Sequence, residues 1–464
     1  MPVQGWRAPP TAAVMVPDPT TLDVERNGRD GSPLGQVRAW GGRGLAGMLK
    51  SLRDPTSPLM ISQFLTAGVA FVANIMASRA LAPSGRGELA LLLQIGYLSS
   101  LVMMLGTDRS VLAVYPGAPP RTVTRAFLRL LLWPTVIGLL VAVALAVLPL
   151  PGLGSWQLRL STAAVFAVVN SLIRAARSVA IATGQMRAFI HCTIIEQVLL
   201  LTLVTGLWIN DVRSSAVWVL AYALANIIPT GGYLLLWARS TLPGTAPEPP
   251  APDHRRRAAR SEGILLFPAA VATSGMLRLD RLLLPAMAST AALGVYAGIG
   301  TMTEVLTWPL FALADARLGR WRQAHDDGRL RLRPPLLATL GYSVLAGAFF
   351  TVVIREFAVP LLGPAYVAAD DLVAPLVLAS MVYGLSQILV TMLTARRRNG
   401  LASVCETTGF AVSVIAYLVL IPRYGALGAA YASLIGYGSS LAVAAVALVL
   451  APGGKPAPER AGVT

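Results

Sequence analysis

The sequence predicts an all-α polytopic membrane protein with about twelve transmembrane helices, arranged as two six-helix bundles related by a parallel pseudo-two-fold repeat. Three observations predict it. The 464 residues are 55% apolar and 13% charged, with a mean hydropathy of +0.64, more apolar than a water-soluble chain of this length requires. Runs of about 17 to 25 apolar residues, each able to span about 30 Å as a helix, recur along the chain. Arginine is dense in alternate connections and sparse in those between, as expected for loops on opposite membrane faces.

Residues 1–57 are rich in Pro, Gly and Arg and read as a disordered cytoplasmic tail, with Met15 and Met48 as later candidate starts. They hold no signal-peptide core, so insertion is expected to begin with the first span. The N-terminal bundle, 58–237, takes in apolar runs near 59–78, 89–107, 127–149, 160–183, 193–209 and 215–237. The stretch 238–263, ARSTLPGTAPEPPAPDHRRRAARSEG, reads as a cytoplasmic linker. Its prolines favour an extended chain, and its basic cluster suits anionic membrane lipids. The C-terminal bundle, 264–450, has runs near 264–287, 292–314, 335–354, 372–394, 401–421 and 425–450, and a short tail, 451–464, follows.

The charge pattern orients these spans. Arg121 and Arg125, Arg255, Arg256, Arg257 and Arg260, and Arg396, Arg397 and Arg398 crowd one set of connections. The opposite set carries only Arg79, Arg86, Arg159, Arg213, Arg355 and Arg423. Both termini are therefore expected in the cytoplasm. Topology accounts for the net charge of +16, and no nucleic-acid partner is implied.

Residues 80–90, ALAPSGRGELA, align with 287–297, MASTAALGVYA, placing Gly87 on Gly294 and Ala90 on Ala297. Six is even, so both halves enter the membrane from the same face and the repeat axis runs along the membrane normal. A substrate site is then expected between the halves, near the midplane.

Charge inside a span is costly on a lipid-facing surface and marks a protein-lined pathway or binding site. Ser274, Arg278 and Arg281 fall at i, i+4 and i+7 and are expected to share one face of the seventh helix, with Asp280 turned away from Arg278. Asn170, Arg174 and Arg177 repeat the spacing on the fourth helix. Guanidinium is permanently charged and presents a planar fork of donors that matches phosphate oxygens, so the two stripes form a candidate cradle for a large anion. The alternative is structural: each arginine pairs with a carboxylate or carbonyl, or snorkels to the interface. Glu304, near the centre of the eighth helix, has three open roles: counter-ion for Arg278, proton site for coupling, or neutral hydrogen-bonding group. Asp280 has the same options. Glu196, Gln197 and Glu406 lie nearer cytoplasmic ends and read as solvated or interfacial.

Other apparent motifs carry no chemistry. Gly42, Gly44 and Gly47 satisfy G-x-G-x-x-G without a strand before or a βαβ unit after. Cys192 and Cys405 form no spacing motif, and His191, His254 and His325 are scattered. No catalytic residue, metal site or cofactor is expected. An enzyme acting on lipid-linked sugars would find only Glu356, Asp370 and Asp371 in the longest expected external loop, Arg355 to about Asp371.

Several segments resemble a known family. The stretch 278–300, RLDRLLLPAMASTAALGVYAGIG, is similar to the seventh-helix signature of the polysaccharide flippases, an aspartate, an apolar run and a G-x-Y entering helix eight. PLLGPAY at 360–366 and ARRRNG at 395–400 resemble two of their turns, and PRYGALGAAYA at 422–432 resembles their P-x-x-G-x-x-GAA-x-A pattern. RALAPSGRGELA at 79–90 and ATGQMRAF at 182–189 are similar to turns of the first half. The resemblance covers roughly residues 58–450. It implies a Wzx-type flippase of the multidrug, oligosaccharidyl-lipid and polysaccharide exporter superfamily, moving an undecaprenyl-diphosphate-linked glycan between leaflets of the bacterial plasma membrane. It also implies polysaccharide polymerase machinery as a partner, and places Arg174, Arg278 and Asp280 on helices suited to meeting the substrate. The lipid II flippase branch has fourteen helices against the twelve expected here. Multidrug cation exporters, the alternative transporter class, often carry an acidic residue in their first helix, where this chain has only Gln63 and Asn74 as strongly polar groups. A membrane glycan-processing enzyme or assembly partner is the alternative of a different class.

Overall fold

Two helices are too long for a single crossing, and the way they turn back sets the architecture. The computed structural model describes residues 57–115, 118–239 and 253–450. The first helix, α1, Ser57–Met104, has 48 residues, about 72 Å at 1.5 Å per residue, against a hydrocarbon core of about 30 Å. It folds back at Ala82, whose φ of 55° and ψ of 176° immediately precede Pro83. Proline lacks an N–H and disfavours helical geometry in the residue before it, so the helix breaks there. The last helix, Asn399–Leu450, has 52 residues and turns at Gly425, where φ is 55° and ψ is −128°, a conformation open to a residue without Cβ.

Between them run α2, Thr107–Val114; α3, Pro120–Val147; α4, Trp156–Thr183; α5, Met186–Ile209; α6, Ser215–Arg239; and α7, Asp253–Arg278. Then come α8, Asp280–Met287; α9, Thr290–Glu304; α10, Trp308–Asp326; α11, Arg333–Leu362; α12, Asp370–Ala395; and α13, the Asn399–Leu450 helix. Eight of the described helices are long and apolar enough to cross a membrane. With α1 and α13 each crossing twice, and with α7–α8 and α9–α10 as two interrupted crossings, the described chain makes twelve passes. The fold is the all-α polytopic one expected.

The boundaries differ from expectation in three places. The basic half of the expected linker is helical, because α7 begins at Asp253. The expected external loop after Arg355 is short: α11 continues to Leu362, and Pro364–Ala369 forms a 3-10 turn. The seventh crossing is interrupted at Leu279. The expected tails, apart from Ser57, and the proline-rich part of the linker lie outside the described residues.

The helices pack as one compact unit, in which α1 lies against α9 of the second half as well as against α4 and α5 of the first. Apolar residues are not all inside: the most apolar stretch of α3 is only 11% buried, whereas that of α12 is 67% buried. An all-round apolar helix is thus central in α12 and turned to lipid in α3.

The halves touch along a seam pinned at both ends. At the arginine-poor end, a methyl group added to Gly87 would fall on the Thr290 carbonyl, and one added to Gly294 would fall on the Pro83 carbonyl. The contact is reciprocal, and it joins the two glycines that the internal alignment pairs. Ala90 of the first half belongs to the second half's core here. Arg79 also donates to the carbonyls of Leu361 at 2.8 Å and Pro360 at 2.5 Å. At the arginine-rich end, a methyl group on Gly106 would fall on the Gly263 carbonyl, and Ser110 Oγ donates to the Ala259 carbonyl at 2.5 Å. Ala259 of the second half sits in a core cluster of the first.

Overpacking a close crossing costs typically about 1–3 kcal/mol. Gly294→Ala is therefore expected to lower the thermal unfolding temperature in detergent, while Gly400→Ala, with nothing within 4 Å of its added carbon, leaves it nearly unchanged. Equal effects would contradict the backbone-to-backbone seam.

Candidate functional site

Between the two pinned ends, the seam is lined by arginines. The local fold at Asp280 shapes the centre. Asp280 Oδ1 accepts the N–H of Arg281 at 2.8 Å, a local side-chain bond that competes with the helical i to i−4 pattern and accompanies the interruption between α7 and α8. Leu279 itself keeps helical φ and ψ of −69° and −30°, and Arg278 and Arg281 line one cavity.

That cavity is about 160 Å³ and is lined by Arg278, Asp280, Arg281, Tyr296, Glu304 and Tyr437, among others. It has room for several water molecules, but not for a sugar-bearing lipid. Arg281 pairs with Glu304, their side chains being 14% and 45% exposed. Glu304 is thus the counter-ion of Arg281 rather than of Arg278. Asp280, 4% exposed, accepts from Tyr296 Oη at 2.6 Å. Tyr296 Oη lies 3.4 Å from Ser433 Oγ, which lies 2.9 Å from Tyr417 Oη. Asp280 therefore anchors a buried hydroxyl chain, and it opens on the same cavity as the two arginines rather than facing elsewhere.

Arg278 crosses to the first half. Its Nη1 donates to Gln94 Oε1 at 3.4 Å, and its guanidinium carbon lies 5.0 Å from the centroid of the Tyr97 ring, a cation–π contact of about 0.5–2 kcal/mol. Gln94 Nε2 is buried without a partner among the described residues. On the arginine-poor side, Arg86 is 8% exposed, and its Nε and Nη2 donate to Asn74 Oδ1 at 3.1 and 2.8 Å. Asn74 Nδ2 in turn donates to the Gly298 carbonyl of the second half at 3.0 Å. Sequence alone placed Arg86 in an external connection. The close crossing at Gly87 draws it inside.

On the arginine-rich side, Arg174 Nη1 meets Asp108 Oδ2 at 3.3 Å. Ser178 Oγ donates to the Asp108 carbonyl at 2.9 Å. Asn170 is buried and donates to Ser100 Oγ at 2.6 Å, tying α4 to α1. Arg177 is exposed, and Ser274 is half-buried and outside the cavity lining. The charges form a continuous series: Arg86 lies within electrostatic reach of Arg281 and Glu304, Arg281 and Arg278 share the cavity, and Arg174 lies within reach of Arg278 and Arg177.

The pattern reading missed Arg86, Gln94, Tyr97 and Asp108. None has a helical-spacing signal in its own segment: Gln94 and Tyr97 meet Arg278 across the seam, whereas Arg86 meets Asn74 and Asp108 meets Arg174 within the first half. Glu196 is a further correction. Expected to be interfacial, it is 4% exposed, and its Oε1 accepts from Thr230 Oγ1 at 2.6 Å and from Cys192 Sγ at 3.6 Å. Packing of α6 over α5 covers it. Glu406 accepts from Thr273 Oγ1 at 2.9 Å.

No protein-family model matches the sequence, and no curated protein matches it. Solved structures do share its architecture. Its fold is similar to that of MATE transporters and of a lipid II flippase. The MATE multidrug transporter DinF-BH superposes with a TM-score of 0.61 at 17% identity, over 86% of this chain and 95% of that one. The lipid II flippase MurJ in an inward closed conformation gives 0.57 at 10% identity, over 84% and 87%. An inward-facing multidrug resistance MATE family transporter of the MOP superfamily gives 0.55 at 12% identity, over 85% and 95%. At such identities the likeness is one of fold.

Removing one member of a buried ion pair leaves an uncompensated charge, at about 3–5 kcal/mol when both are fully buried; Glu304 is half-exposed, so less is expected here. Arg281→Met and Glu304→Met are each expected to lower the unfolding temperature, and the double variant should be more stable than Arg281→Met alone. Strictly additive losses in that double-mutant cycle would contradict the pairing.

Proposed function

We propose that this protein is a flippase that carries an undecaprenyl-diphosphate-linked oligosaccharide from the cytoplasmic to the outer leaflet of a bacterial plasma membrane, for cell-surface polysaccharide synthesis. The observation that carries this reading is the pair Arg86 and Arg278. Both lie within membrane-crossing helices at the seam, and among the described residues neither has an ion-pair partner; they are held by Asn74, Gln94 and Tyr97 instead. A permanent cation held by neutral groups keeps its attraction for an incoming anion, and its planar fork fits diphosphate oxygens. Arg281 and Arg174 extend the series, already paired to Glu304 and Asp108, so a diphosphate moving along the seam exchanges one set of charge-assisted bonds for the next.

In this reading the two bundles alternate access. The glycine contacts at the two ends serve as closures that open in turn, and the sugars occupy the space created when the halves part. The fold shared with the lipid II flippase MurJ supports translocation of a lipid-linked glycan, and the resemblance of 278–300 and 422–432 to polysaccharide flippases supports the substrate class. The arginine-rich end faces the cytoplasm in this reading.

A second reading, export of small molecules by antiport, has its own support. Asp280 and Glu304 share their cavity with the rings of Tyr296, Trp308, Phe311, Tyr383 and Tyr437, a lining suited to an aromatic cation, and the fold is equally that of MATE transporters. The arginines of the same seam favour the anionic substrate.

In cells whose only copy is Arg278→Ala or Arg174→Ala, undecaprenyl-linked glycan is expected to accumulate on the cytoplasmic leaflet while the protein stays at near-normal abundance. Mass spectrometry of extracted lipid-linked intermediates, with leaflet assignment by an impermeant lectin, checks this. Normal export by both variants would overturn the flippase reading, and accumulation of unprocessed glycan outside would point to an enzyme.

A further inference from the structure

A second cluster of arginines lies away from the central seam, at the membrane-facing edge of the arginine-rich end. A cavity of about 350 Å³ opens there between the halves. Arg129 reaches it from α3 of the first half, and Arg256, Arg257 and Arg260 reach it from the opening turns of α7 in the second. Its remaining polar lining residue is Thr107, and no carboxylate lines it among the described residues. The floor is apolar: Met103, Met104 and Leu105 at the end of α1, with Leu130, Trp133 and Pro134 of α3.

Two features fix the kind of occupant. Arg129, Arg257 and Arg260, in a lining without a carboxylate among the described residues, attract an anion, and arginine forks favour phosphate oxygens. The apolar floor runs on to a face of α3 that turns outward, where Trp133 is 70% exposed, Ile137 57% and Leu140 63%. Tryptophan marks the headgroup boundary of a bilayer, and Arg129 lies one helical turn before it. A free anion leaves that apolar face uncovered; a phospholipid covers both parts, phosphate among the arginines and acyl chain along α3.

We propose that this cavity is a binding site for the phosphate of an anionic membrane phospholipid, which bridges the two halves. Its floor adjoins the joint where Gly106 meets Gly263 and Ser110 Oγ donates to the Ala259 carbonyl at 2.5 Å. A lipid held by Arg129 on one half and by Arg257 and Arg260 on the other clamps that end shut. The site is independent of the transported substrate, so it stands or falls apart from the flippase reading.

The test uses the full-length protein in neutral detergent, with phosphatidylglycerol, phosphatidylcholine or inorganic phosphate added, read by unfolding temperature and by retained lipid in native mass spectrometry. Phosphatidylglycerol is expected to raise the unfolding temperature and to leave one retained lipid, with phosphatidylcholine and millimolar phosphate doing neither. At about fivefold per arginine near an anionic surface, the Arg129→Gln, Arg257→Gln, Arg260→Gln variant should bind phosphatidylglycerol on the order of 100-fold more weakly. A charge-matched control, Arg322→Gln, Arg329→Gln, Arg331→Gln, removes exposed arginines outside the cavity lining and should retain the lipid. Leu130→Glu, which removes no arginine, should abolish retention by placing a carboxylate in the lining. The proposal is overturned if the control loses the lipid as fully as the cavity variant, if Leu130→Glu retains it, or if phosphate reproduces the stabilisation.

Discussion

A guanidinium keeps its charge in any protein environment, and that constraint organises the interior of this membrane fold. Arg86, Arg174, Arg278 and Arg281 lie within crossing helices, where an unpartnered charge facing lipid is costly. Each is met by a polar or aromatic group: Asn74, Asp108, Gln94 with Tyr97, and Glu304 respectively. The halves therefore do more than pack apolar surfaces together. Arg278 of the second half is met by Gln94 and Tyr97 of the first, and Asn74 of the first half, which holds Arg86, donates to the Gly298 carbonyl of the second.

The ends of the seam are built differently from its middle. At Gly87 with Gly294, and at Gly106 with Gly263, backbone meets backbone with no side chain between. Such contacts are close in geometry and hold no charge, so they can part without stranding an ion. The middle is charged and contracted around a cavity of about 160 Å³. Closure by uncharged glycine crossings around a charged centre suits a device that opens at one end at a time while its charges stay in protein or water.

Much of the fold was legible in the sequence because bilayer thickness is a simple constraint. Apolar runs marked the crossings, and the alignment of Gly87 with Gly294 picked out two residues that lie against one another. The site was legible in part. Helical spacing singled out Arg174, Arg278 and Arg281 as interior charges, and the structure does place them along the seam. Spacing did not foresee that Asp280 accepts the Arg281 N–H and opens on the same cavity as Arg278 and Arg281. It also failed for partners that meet only in three dimensions. Asp108 lies in a short helix after Gly106, and Arg86 lies beside a turn; neither carries a periodic signal that predicts its burial. Glu196 looked interfacial by its position in the fifth span, whereas the covering by α6 is a matter of tertiary packing.

The central claim is that the seam recognises an anionic amphiphile rather than a cationic one. Equilibrium binding to the purified protein in nanodiscs, comparing undecaprenyl diphosphate with a lipophilic aromatic cation, tests it most directly. The account predicts saturable binding of the diphosphate lipid that weakens when Arg86 and Arg278 are both replaced by glutamine, and little binding of the cation. Saturable binding of the cation, unchanged or strengthened by the same replacements, with none of the diphosphate lipid, would contradict it.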